Sequence, residues 1–336
     1  MHFPAFHLRK DPVVDRWVLI SRERGKRPGQ QSAVNPAPRA GPCPFCEGNE
    51  ALTPPEILAY RPSGSERDKP GWTVRVVPNK FPALISGGEP KRCGDGLFEF
   101  MNGVGAHEVI VETPGHETDM SRLSARKIEE VLRVYRDRFL DLAGDPKLVY
   151  TLIFKNQGFE AGATMDHSHS QLIALPLIPR EALDEIRGAQ NYFETRRHCV
   201  YCETVEREAA ERIRVVSETE EFLSFCPFAS RFPFETWIVP KRHASRFERT
   251  PDKELSDLSR ALKGALGLLH RALDGLSFNY FIHSLPLKGT ESPAYHWHIE
   301  LIPRLTPIAG FEWGSGFTIN AVPPEEAARL LRESDT

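Results

Sequence analysis

The sequence predicts an α+β fold in which one strand–helix–strand unit occurs twice. The same order of features runs through both halves of the 336 residues: a C-x-x-C pair, a strand that ends at a histidine, an amphipathic helix, an apolar strand and an H-x-H motif. The cysteine and histidine pairs are Cys43 and Cys46, His167 and His169, Cys199 and Cys202, and His296 and His298. Five features in the same order, with matched local spacing, indicate an internal duplication.

Local patterns predict the elements of the first half. Strands are expected at residues 16–20, 73–77, 107–116 (ending at a turn and a histidine) and 148–154. From Ser124 onward, apolar residues recur at helical spacing and predict an amphipathic helix. These residues are Ile128, Val131, Leu132, Tyr135, Phe139 and Leu142. Residues 29–42 are rich in Pro, Gly and Ala and are expected to form a loop or a linker, and residues 86–105 are expected to form an exposed excursion.

The second half repeats this order. The segment Glu235–His243 parallels Glu108–His116, with eight positions from glutamate to histidine in both. A helix is expected at about 252–273, and strands are expected at 277–283 and 296–303. The helix has five leucines on one face, namely Leu255, Leu258, Leu262, Leu266 and Leu269.

Bulk composition argues against two classes of function. The formal net charge is −3 and the isoelectric point about 6.5, which gives no whole-protein attraction to nucleic acid. No apolar run approaches the roughly 20 residues needed to span a bilayer. The first residues, Met1 to Pro4, lack the charged-then-apolar pattern of a signal peptide. We therefore expect a cytoplasmic protein that binds neither nucleic acid nor membranes.

The cysteine pairs favour metal binding over redox chemistry. Cys43 and Cys46 lie in a Pro/Gly-rich loop, which suits a zinc knuckle better than a thioredoxin-like motif. Each half adds a histidine at a strand end and the first histidine of H-x-H, which completes a Cys2His2 set. The predicted ligands are Cys43, Cys46, His116 and His167 in the first half, and Cys199, Cys202, His243 and His296 in the second. His198 and His298 are alternatives to His296, and the second ion could be Zn²⁺ or iron.

The segment Asp166–Gln171 is expected to perform the chemistry. An isolated H-x-H motif is more often a solvated strand edge, but here the motif recurs with a cysteine pair in each half. We expect its two imidazoles on opposite sides of the strand, with His167 facing a metal and His169 facing a substrate. A neutral imidazole is a competent nucleophile toward phosphorus, so His169 could form a nucleotidyl-histidine with a nucleotide's α-phosphate. Gln171 would donate an amide hydrogen bond to a non-bridging phosphate oxygen.

Several longer motifs are similar to those of one known family. They are D-P-V-V-D-R-W-V-L-I-S-R-E-R-G-K-R-P, C-P-F-C, N-K-F-P-A-L, H-E-V-I-V-E-T-P-G-H, A-G-A-T-M-D-H-S-H-S-Q, F-P-F-E-T-W-I-V-P-K-R-H and G-F-E-W-G-S-G-F-T-I-N. Through these motifs the chain resembles, over its whole length, the galactose-1-phosphate uridylyltransferase family of the histidine-triad superfamily. The resemblance implies two histidine-triad-like repeats, each an antiparallel sheet with a packed helix, fused in one pseudo-symmetric unit. The first repeat, residues 1–180, would contain the nucleophile, and the second, residues 181–336, would be mainly structural with a sugar-contacting tail.

The resemblance also implies a ping-pong reaction. A nucleoside-diphosphate sugar would give its nucleoside monophosphate to His169, and a second hexose 1-phosphate would take it from there. The expected substrates are UDP-glucose and galactose 1-phosphate, in galactose metabolism. The implied substrate contacts are Arg24 and Arg27 for phosphates, Asn79 for the nucleoside, Asn156, Gly162, Ala163 and Thr164 for the diphosphate, and Phe311 and Glu312 for the sugar. The family further implies a homodimer whose partner subunit supplies part of the sugar site.

Two departures from the family pattern leave the substrates open. The uridylyltransferases usually have H-P-H-G-Q, whereas this chain has Ser168 and Ser170, and the best-known bacterial members lack the second C-x-x-C pair. Both features resemble the plant-type branch, an ADP-glucose phosphorylase that passes AMP to phosphate. A histidine-triad hydrolase, which releases nucleotide to water, is a different possible function. A zinc-stabilised nucleic-acid-binding protein is a more distant one.

Overall fold

The largest element of the fold is a ten-stranded antiparallel sheet, accompanied by a separate sheet of four strands. The computed structural model describes residues 41–273, 275–305, 307 and 309–334, together with two strands near the N-terminus. The strands are β1 (Phe6–Lys10), β2 (Trp17–Ser21), β3 (Leu58–Tyr60), β4 (Val74–Pro78), β5 (Arg92–Gly94), β6 (Glu99–Asn102), β7 (Ala106–Val111), β8 (Tyr150–Gln157), β9 (His169–Leu175), β10 (Val215–Glu218), β11 (Phe222–Phe225), β12 (Thr236–Pro240), β13 (Phe278–His283) and β14 (His298–Pro303). The helices are α1 (Ala125–Ala143), α2 (Arg180–Arg196), α3 (Val200–Glu211), α4 (Asp252–Ala272), α5 (Gly310–Ser315) and α6 (Pro324–Glu333). The predicted α+β class is confirmed.

The large sheet is symmetric about its middle. Its strand order is β10-β11-β12-β14-β13-β8-β9-β7-β4-β3, so each half contains five strands in corresponding order. Phe154 of β8 pairs with Phe281 of β13. On their other sides, these two phenylalanines pair with Gln171 and Glu300, which are themselves corresponding residues. A pseudo-two-fold axis therefore passes through the Phe154–Phe281 pair.

The strand register corrects one detail of the predicted repeat. Val109 lies opposite Gln171, whereas Trp237 lies opposite Glu300. Val109 therefore corresponds to Trp237, and Glu235 corresponds to His107 and not to Glu108. Counted from these corresponding residues, the first half has one residue more before His116 than the second half has before His243, and the turn after β7 accommodates it.

Helices α1 and α4 pack against each other on one face of the large sheet. The Ser124 hydroxyl accepts a hydrogen bond from the backbone N–H of Lys127 and so caps α1. All the apolar residues predicted for the inner faces of the two helices are buried. Burying a leucine or phenylalanine side chain contributes roughly 1.5–3 kcal/mol, so these faces hold both helices on the sheet.

The opposite face of the sheet is covered differently in its two halves. In the second half, helices α2 and α3 lie over it, and Val205 of α3 packs with Leu223 and Val239. In the first half, the cover is a small cluster in which Phe45 contacts strand residues such as Val109. The apolar cover in the first half is therefore small, and Phe45 of the turn before β3 belongs to it.

Some parts of the chain differ from the sequence prediction. Residues 86–105 contain β5 and β6 of the four-stranded sheet, ordered β2-β1-β6-β5, and Met101 and Val104 are buried there, so this segment is more than an exposed excursion. The loop predicted at 29–42 lies outside the described residues except for its last two. No helix in the described part of the chain is long and apolar enough to cross a membrane.

Candidate functional site

The first cysteine pair meets two histidines from distant parts of the chain. Cys43 and Cys46 lie in a turn before β3, whereas His116 follows β7 and His167 precedes β9. The four ligand atoms lie within 4.8 Å of one another. His116 is exposed and His167 is buried, so this group joins the strand to a solvent-facing loop.

The distances in this first group fit a tetrahedral metal ion. The Sγ atoms of Cys43 and Cys46 each lie 3.6 Å from His167 Nδ1, and Cys46 Sγ lies 3.4 Å from His116 Nδ1. Zinc bonds of about 2.3 Å to sulfur and about 2.0 Å to nitrogen give a tetrahedral S···N edge of about 3.6 Å. His167 Nε2 donates to the carbonyl oxygen of Thr113 at 2.8 Å, which leaves Nδ1 free for a metal.

The second cysteine pair forms a matching group. Cys199 precedes α3 and Cys202 lies in its first turn, so this pair opens a helix. Cys202 Sγ lies 3.3 Å from His243 Nδ1 and 3.6 Å from His296 Nδ1. His243 Nε2 donates to the carbonyl oxygen of Ser292 at 3.0 Å. Hydrogen bonds from Cys202, His243 and His296 hold the pKa of the Cys199 thiol well below its ordinary value, which favours the thiolate that a metal requires.

The two alternatives to His296 lie outside this second group. The side chain of His198 is 45% exposed. His298 belongs to a neighbouring group with Glu185 and His283, in which His283 Nδ1 and Glu185 Oε2 are 2.9 Å apart. Burial lowers the pKa of His283, but the hydrogen bond and charge of Glu185 raise it overall. His296 is therefore the histidine that the fold brings to the second cysteine pair.

His167 and His169 lie on the same side of the chain, where both rings contact Phe45. The Phe45 ring centroid lies 6.0 Å from that of His167 and 5.3 Å from that of His169. The prediction of opposite sides is wrong, because side chains two residues apart in an extended strand point to the same face. The two rings are separated along the chain instead: His167 precedes β9 beside the cysteines, and His169 is the first residue of β9.

His169 has one ring nitrogen in a hydrogen bond and one that remains available. Nδ1 donates to the carbonyl oxygen of His167 at 2.8 Å, so the neutral ring has its lone pair on Nε2. The residue is 6% exposed. Burial, assisted by the positive charge of Lys155, lowers the pKa of His169 to about 4. The neutral imidazole, which is the form that can act as a nucleophile, is therefore favoured.

A buried ion pair that the sequence interpretation missed lies beneath this strand. Lys155 Nζ is 2.7 Å from Glu112 Oε2, and both side chains are buried. The same ammonium group donates to Ser168 Oγ and to the carbonyl oxygen of His169, each at 3.0 Å. Burial alone would raise the pKa of Glu112, but the charge and hydrogen bond of Lys155 bring it below its ordinary value. The available signal was a lysine directly after the apolar run 148–154.

The two serines of H-S-H-S-Q belong to the same network. Ser168 and Ser170 each donate to one carboxylate oxygen of Glu112. Ser170 also contacts the hydroxyl of Tyr135, which lies 2.5 Å from the hydroxyl of Tyr280. Proline and glycine, which the H-P-H-G-Q motif has at the two serine positions, would provide no hydroxyl donor. The two serine hydroxyls therefore provide the hydrogen-bond donors that the buried carboxylate of Glu112 requires.

Gln171 faces the same side as His169 and is contacted by two polar side chains. His107 Nε2 lies 3.1 Å from Gln171 Oε1, and Asn79 Nδ2 lies 3.3 Å from the same oxygen. Gln171 and His107 are both buried. The fold thus brings together three of the predicted residues, Asn79, His169 and Gln171, and adds His107, which the sequence interpretation treated only as part of a strand.

The residues predicted to contact a diphosphate lie at the end of β8 and in the following loop. Asn156 accepts a hydrogen bond from an asparagine of β13 at 2.8 Å. Gly158 has a φ of 82°, and the chain before β13 approaches it too closely for a Cβ atom, so glycine is required there. Ala163 N donates to the carbonyl oxygen of Gly158 at 3.1 Å. This bond folds the loop with Gly162, Ala163 and Thr164 back onto the end of β8.

The remaining residues predicted to contact the substrate are not brought to His169 in the described part of the structure. Phe311 and Glu312 lie in α5, where Phe311 is 58% exposed. The tail after α5 is attached to the second half, because Asn320 donates to two carbonyl groups of the loop before β12. Arg24 and Arg27 lie outside the described residues.

In the second half, the position that corresponds to His169 is covered by other side chains. His298 and Glu300 occupy the places of the first half's histidine and glutamine. Trp237 stacks on His298 with ring centroids 4.9 Å apart, and Arg231 forms an ion pair with Glu300. His298 is fully buried. The two halves therefore share a backbone plan but differ in the side chains over this face.

Comparisons with known proteins agree over nearly the whole chain. The family described as galactose-1-phosphate uridyl transferase matches with its N-terminal domain at residues 2–179 and its C-terminal domain at residues 185–312. ADP-glucose phosphorylase from Arabidopsis thaliana is 39% identical over 333 residues, which are 97% of this chain and 92% of that protein. Galactose-1-phosphate uridylyltransferase from Thermotoga maritima is 32% identical over 338 residues, 98% of each chain. The crystal structure of the Arabidopsis phosphorylase with bound ADP-glucose has a TM-score of 0.76 at 36% identity, covering 97% of this chain and 98% of that one.

Proposed function

This chain belongs to the galactose-1-phosphate uridyl transferase family and is a nucleotidyltransferase, and from this premise we propose that it works through a covalent nucleotidyl-His169. The donor is a nucleoside-diphosphate sugar, and the acceptor carries a phosphate group. The observation that supports this proposal is the fixed tautomer of His169, whose Nδ1 donates to His167 O and whose Nε2 retains the lone pair.

The proposed reaction has two displacements at one phosphorus atom. First, His169 Nε2 attacks the α-phosphorus, the N–P bond forms, and the sugar 1-phosphate leaves with the electrons of the broken P–O bond. Second, an oxygen of the acceptor phosphate attacks the same phosphorus, and the N–P bond breaks to return His169 as neutral imidazole. The carbonyl oxygen of His167 stabilises the positive ring formed in between, and Gln171 donates to a non-bridging oxygen.

The two Cys2His2 groups would each hold one structural metal ion. Four protein ligands close a tetrahedral site, which leaves no position for a substrate. Zn²⁺ suits both donor sets, and the second could also be occupied by iron. In the first half, a metal bound to His167 would fix the chain two residues before His169.

Two donor–acceptor pairs fit this scheme. The first is UDP-glucose with galactose 1-phosphate, which the sequence resemblance favours. The second is ADP-glucose with phosphate. The identity of 39% to an ADP-glucose phosphorylase, against 32% to a galactose-1-phosphate uridylyltransferase, supports the second pair. Ser168 and Ser170 also favour it. ADP-glucose phosphorolysis is therefore an equal candidate for the reaction of this protein.

A labelling experiment tests both the intermediate and the donor. The protein is incubated with UDP-glucose or ADP-glucose labelled at the α-phosphorus, without acceptor, and acid-labile label on His169 is measured. Label from one donor identifies the nucleotide, and its release by galactose 1-phosphate or by phosphate identifies the acceptor. The absence of label from both donors would overturn the proposal, and steady release of nucleotide to water would favour the hydrolase.

We also propose that residues 1–180 perform the reaction, that residues 181–336 are mainly structural, and that a homodimer completes the sugar site. The filled position around His298 and the exposed Phe311 of α5 support these assignments. Mixed dimers test the last one. A His169→Ala chain combined with a Glu312→Gln chain should regain transfer if the tail serves the partner subunit. Without such recovery, the tail serves its own subunit or none.

A further inference from the structure

His107 is held by a main-chain donor that determines where its proton lies. The backbone N–H of Ala83 donates to His107 Nδ1 at 2.9 Å. A backbone N–H can only donate, so Nδ1 is an acceptor and has no hydrogen. His107 is 5% exposed. The neutral ring must therefore have its single hydrogen on Nε2, the nitrogen that faces Gln171.

Asn79 is oriented in the same way by a second main-chain donor. The backbone N–H of Phe81 donates to Asn79 Oδ1 at 2.9 Å. The other end of this carboxamide, Nδ2, is then the amino group. It lies 3.3 Å from Gln171 Oε1 and 3.1 Å from His107 Nε2. Two donors, each fixed by the backbone, are thus directed at one oxygen of Gln171.

These contacts determine the orientation of the Gln171 carboxamide, that is, the positions of its oxygen and its amino group. A carboxamide has nearly the same shape in both orientations, so its neighbours must assign the oxygen and the nitrogen. His107 and Asn79 both require an acceptor, which places the oxygen of Gln171 toward them. Within the described residues, Gln171 Nε2 has no hydrogen-bond acceptor, so its amino group remains available on the side that His169 shares.

We propose that His107 is a positioning residue, which fixes the carboxamide of Gln171 so that its amino group faces the transferred phosphate. This inference rests on the proposed nucleotidyl transfer, because the phosphate is its ligand. The second half of the chain lacks the arrangement. Glu235 and Glu300 occupy the places of His107 and Gln171, and Arg231 bridges the two carboxylates.

Matched variants of His107 test the assignment. In His107→Asn, the amide oxygen can still accept from Ala83 N–H, but the donor to Gln171 is lost. We expect kcat of nucleotidyl transfer to fall up to about 10-fold, the worth of one neutral hydrogen bond, with KM for the donor unchanged within about 2-fold. In His107→Gln, an amino group can replace Nε2–H, so part of the loss should be recovered.

A double-mutant cycle separates positioning from a general structural role. Gln171→Ala alone should lower kcat by about 10²-fold, as expected for one transition-state donor. If His107 acts through Gln171, then His107→Asn has no further effect on kcat in the Gln171→Ala background. An equal loss in both backgrounds would overturn the proposal.

A measurement without substrate keeps this inference distinct from the proposed function. In protein labelled with ¹⁵N-histidine, the ring nitrogens of His107 are assigned by comparison with the spectrum of a His107 variant. We expect the neutral form with hydrogen on Nε2, and hydrogen on Nδ1 would overturn the inference. Failure of both donors to label His169 would remove the proposed reaction but leave this orientation of Gln171 standing.

Discussion

Lys155 Nζ donates to the carbonyl oxygen of His169 at 3.0 Å, so a buried positive charge directly supports the backbone of β9. The other partners of this ammonium group are Glu112 and Ser168. A buried charge is stable only when it is paired and hydrogen-bonded. The position of His169 in the chain is therefore tied to the integrity of an ion pair on the other face of the sheet.

Replacing Glu112 with glutamine should strongly destabilise the fold. The substitution keeps the size of the side chain but leaves Lys155 without its counter-ion in a buried position. We expect the free energy of unfolding to fall by about 3–5 kcal/mol, as for other broken buried pairs. Urea denaturation measures this change. The control is Glu220→Gln, which removes an exposed partner of Lys253 and should cost less than about 1 kcal/mol.

The contribution of Glu112 should also depend on pH. Its pKa is lower in the folded protein than the value of about 4.3 expected in the unfolded chain. The ion pair's contribution is therefore fully present above about pH 4.3 and is lost as the pH falls through the folded-state pKa. The stability difference between the wild type and Glu112→Gln should shrink below about pH 4. A difference that stays constant from about pH 7 to about pH 3 would contradict this assignment.

Removal of the proposed nucleophile should stop transfer without unfolding the protein. His169→Ala should lower the rate of nucleotidyl transfer by at least about 10⁴-fold, because the substitution removes the attacking Nε2 atom. The melting temperature should change by less than about 4 °C. His198→Ala is a suitable control, because this histidine is half-exposed and lies outside both Cys2His2 groups. A His169→Ala protein with normal turnover would exclude the covalent intermediate.

The loss of one cysteine ligand should remove one metal ion. Cys43→Ser should reduce the metal content from two ions per chain to one, measured by elemental analysis, and should lower the melting temperature. Cys93→Ser is the matched control, because Cys93 lies in β5 and belongs to neither group. If Cys43→Ser retained both ions, the first Cys2His2 assignment would be wrong.

The parts of the fold that depend on local patterns could be predicted from the sequence. The inner residues of α1 and α4 follow helical spacing, and each is buried as expected. The repeated cysteine and histidine motifs also predict both Cys2His2 groups that the fold brings together. The sequence does not predict helix α2, because this helix buries only Ala182 and Ala189 and lacks the broad apolar stripe of α1.

The polar network around β9 could not be predicted, because its contacts join residues far apart in the chain. Glu112, which follows β7, meets Lys155 of β8 and Ser170 of β9, and no local spacing in the sequence encodes these contacts. The same holds for His107 and Gln171, which are 64 positions apart. The relative position of His167 and His169 is a local property, since strand geometry alone places residues i and i+2 on one side.

The pairing of Phe154 with Phe281 has a consequence for the origin of the chain. Strand β8 pairs antiparallel with its counterpart β13 about the pseudo-two-fold axis. Identical subunits that meet in an isologous contact have this geometry. The ten-stranded sheet therefore has the form of an ancestral dimer whose subunits became joined into one polypeptide. Once joined, the two copies no longer needed to be identical. The two copies now differ at corresponding positions, because Glu300 and Glu235 stand where the first half has Gln171 and His107.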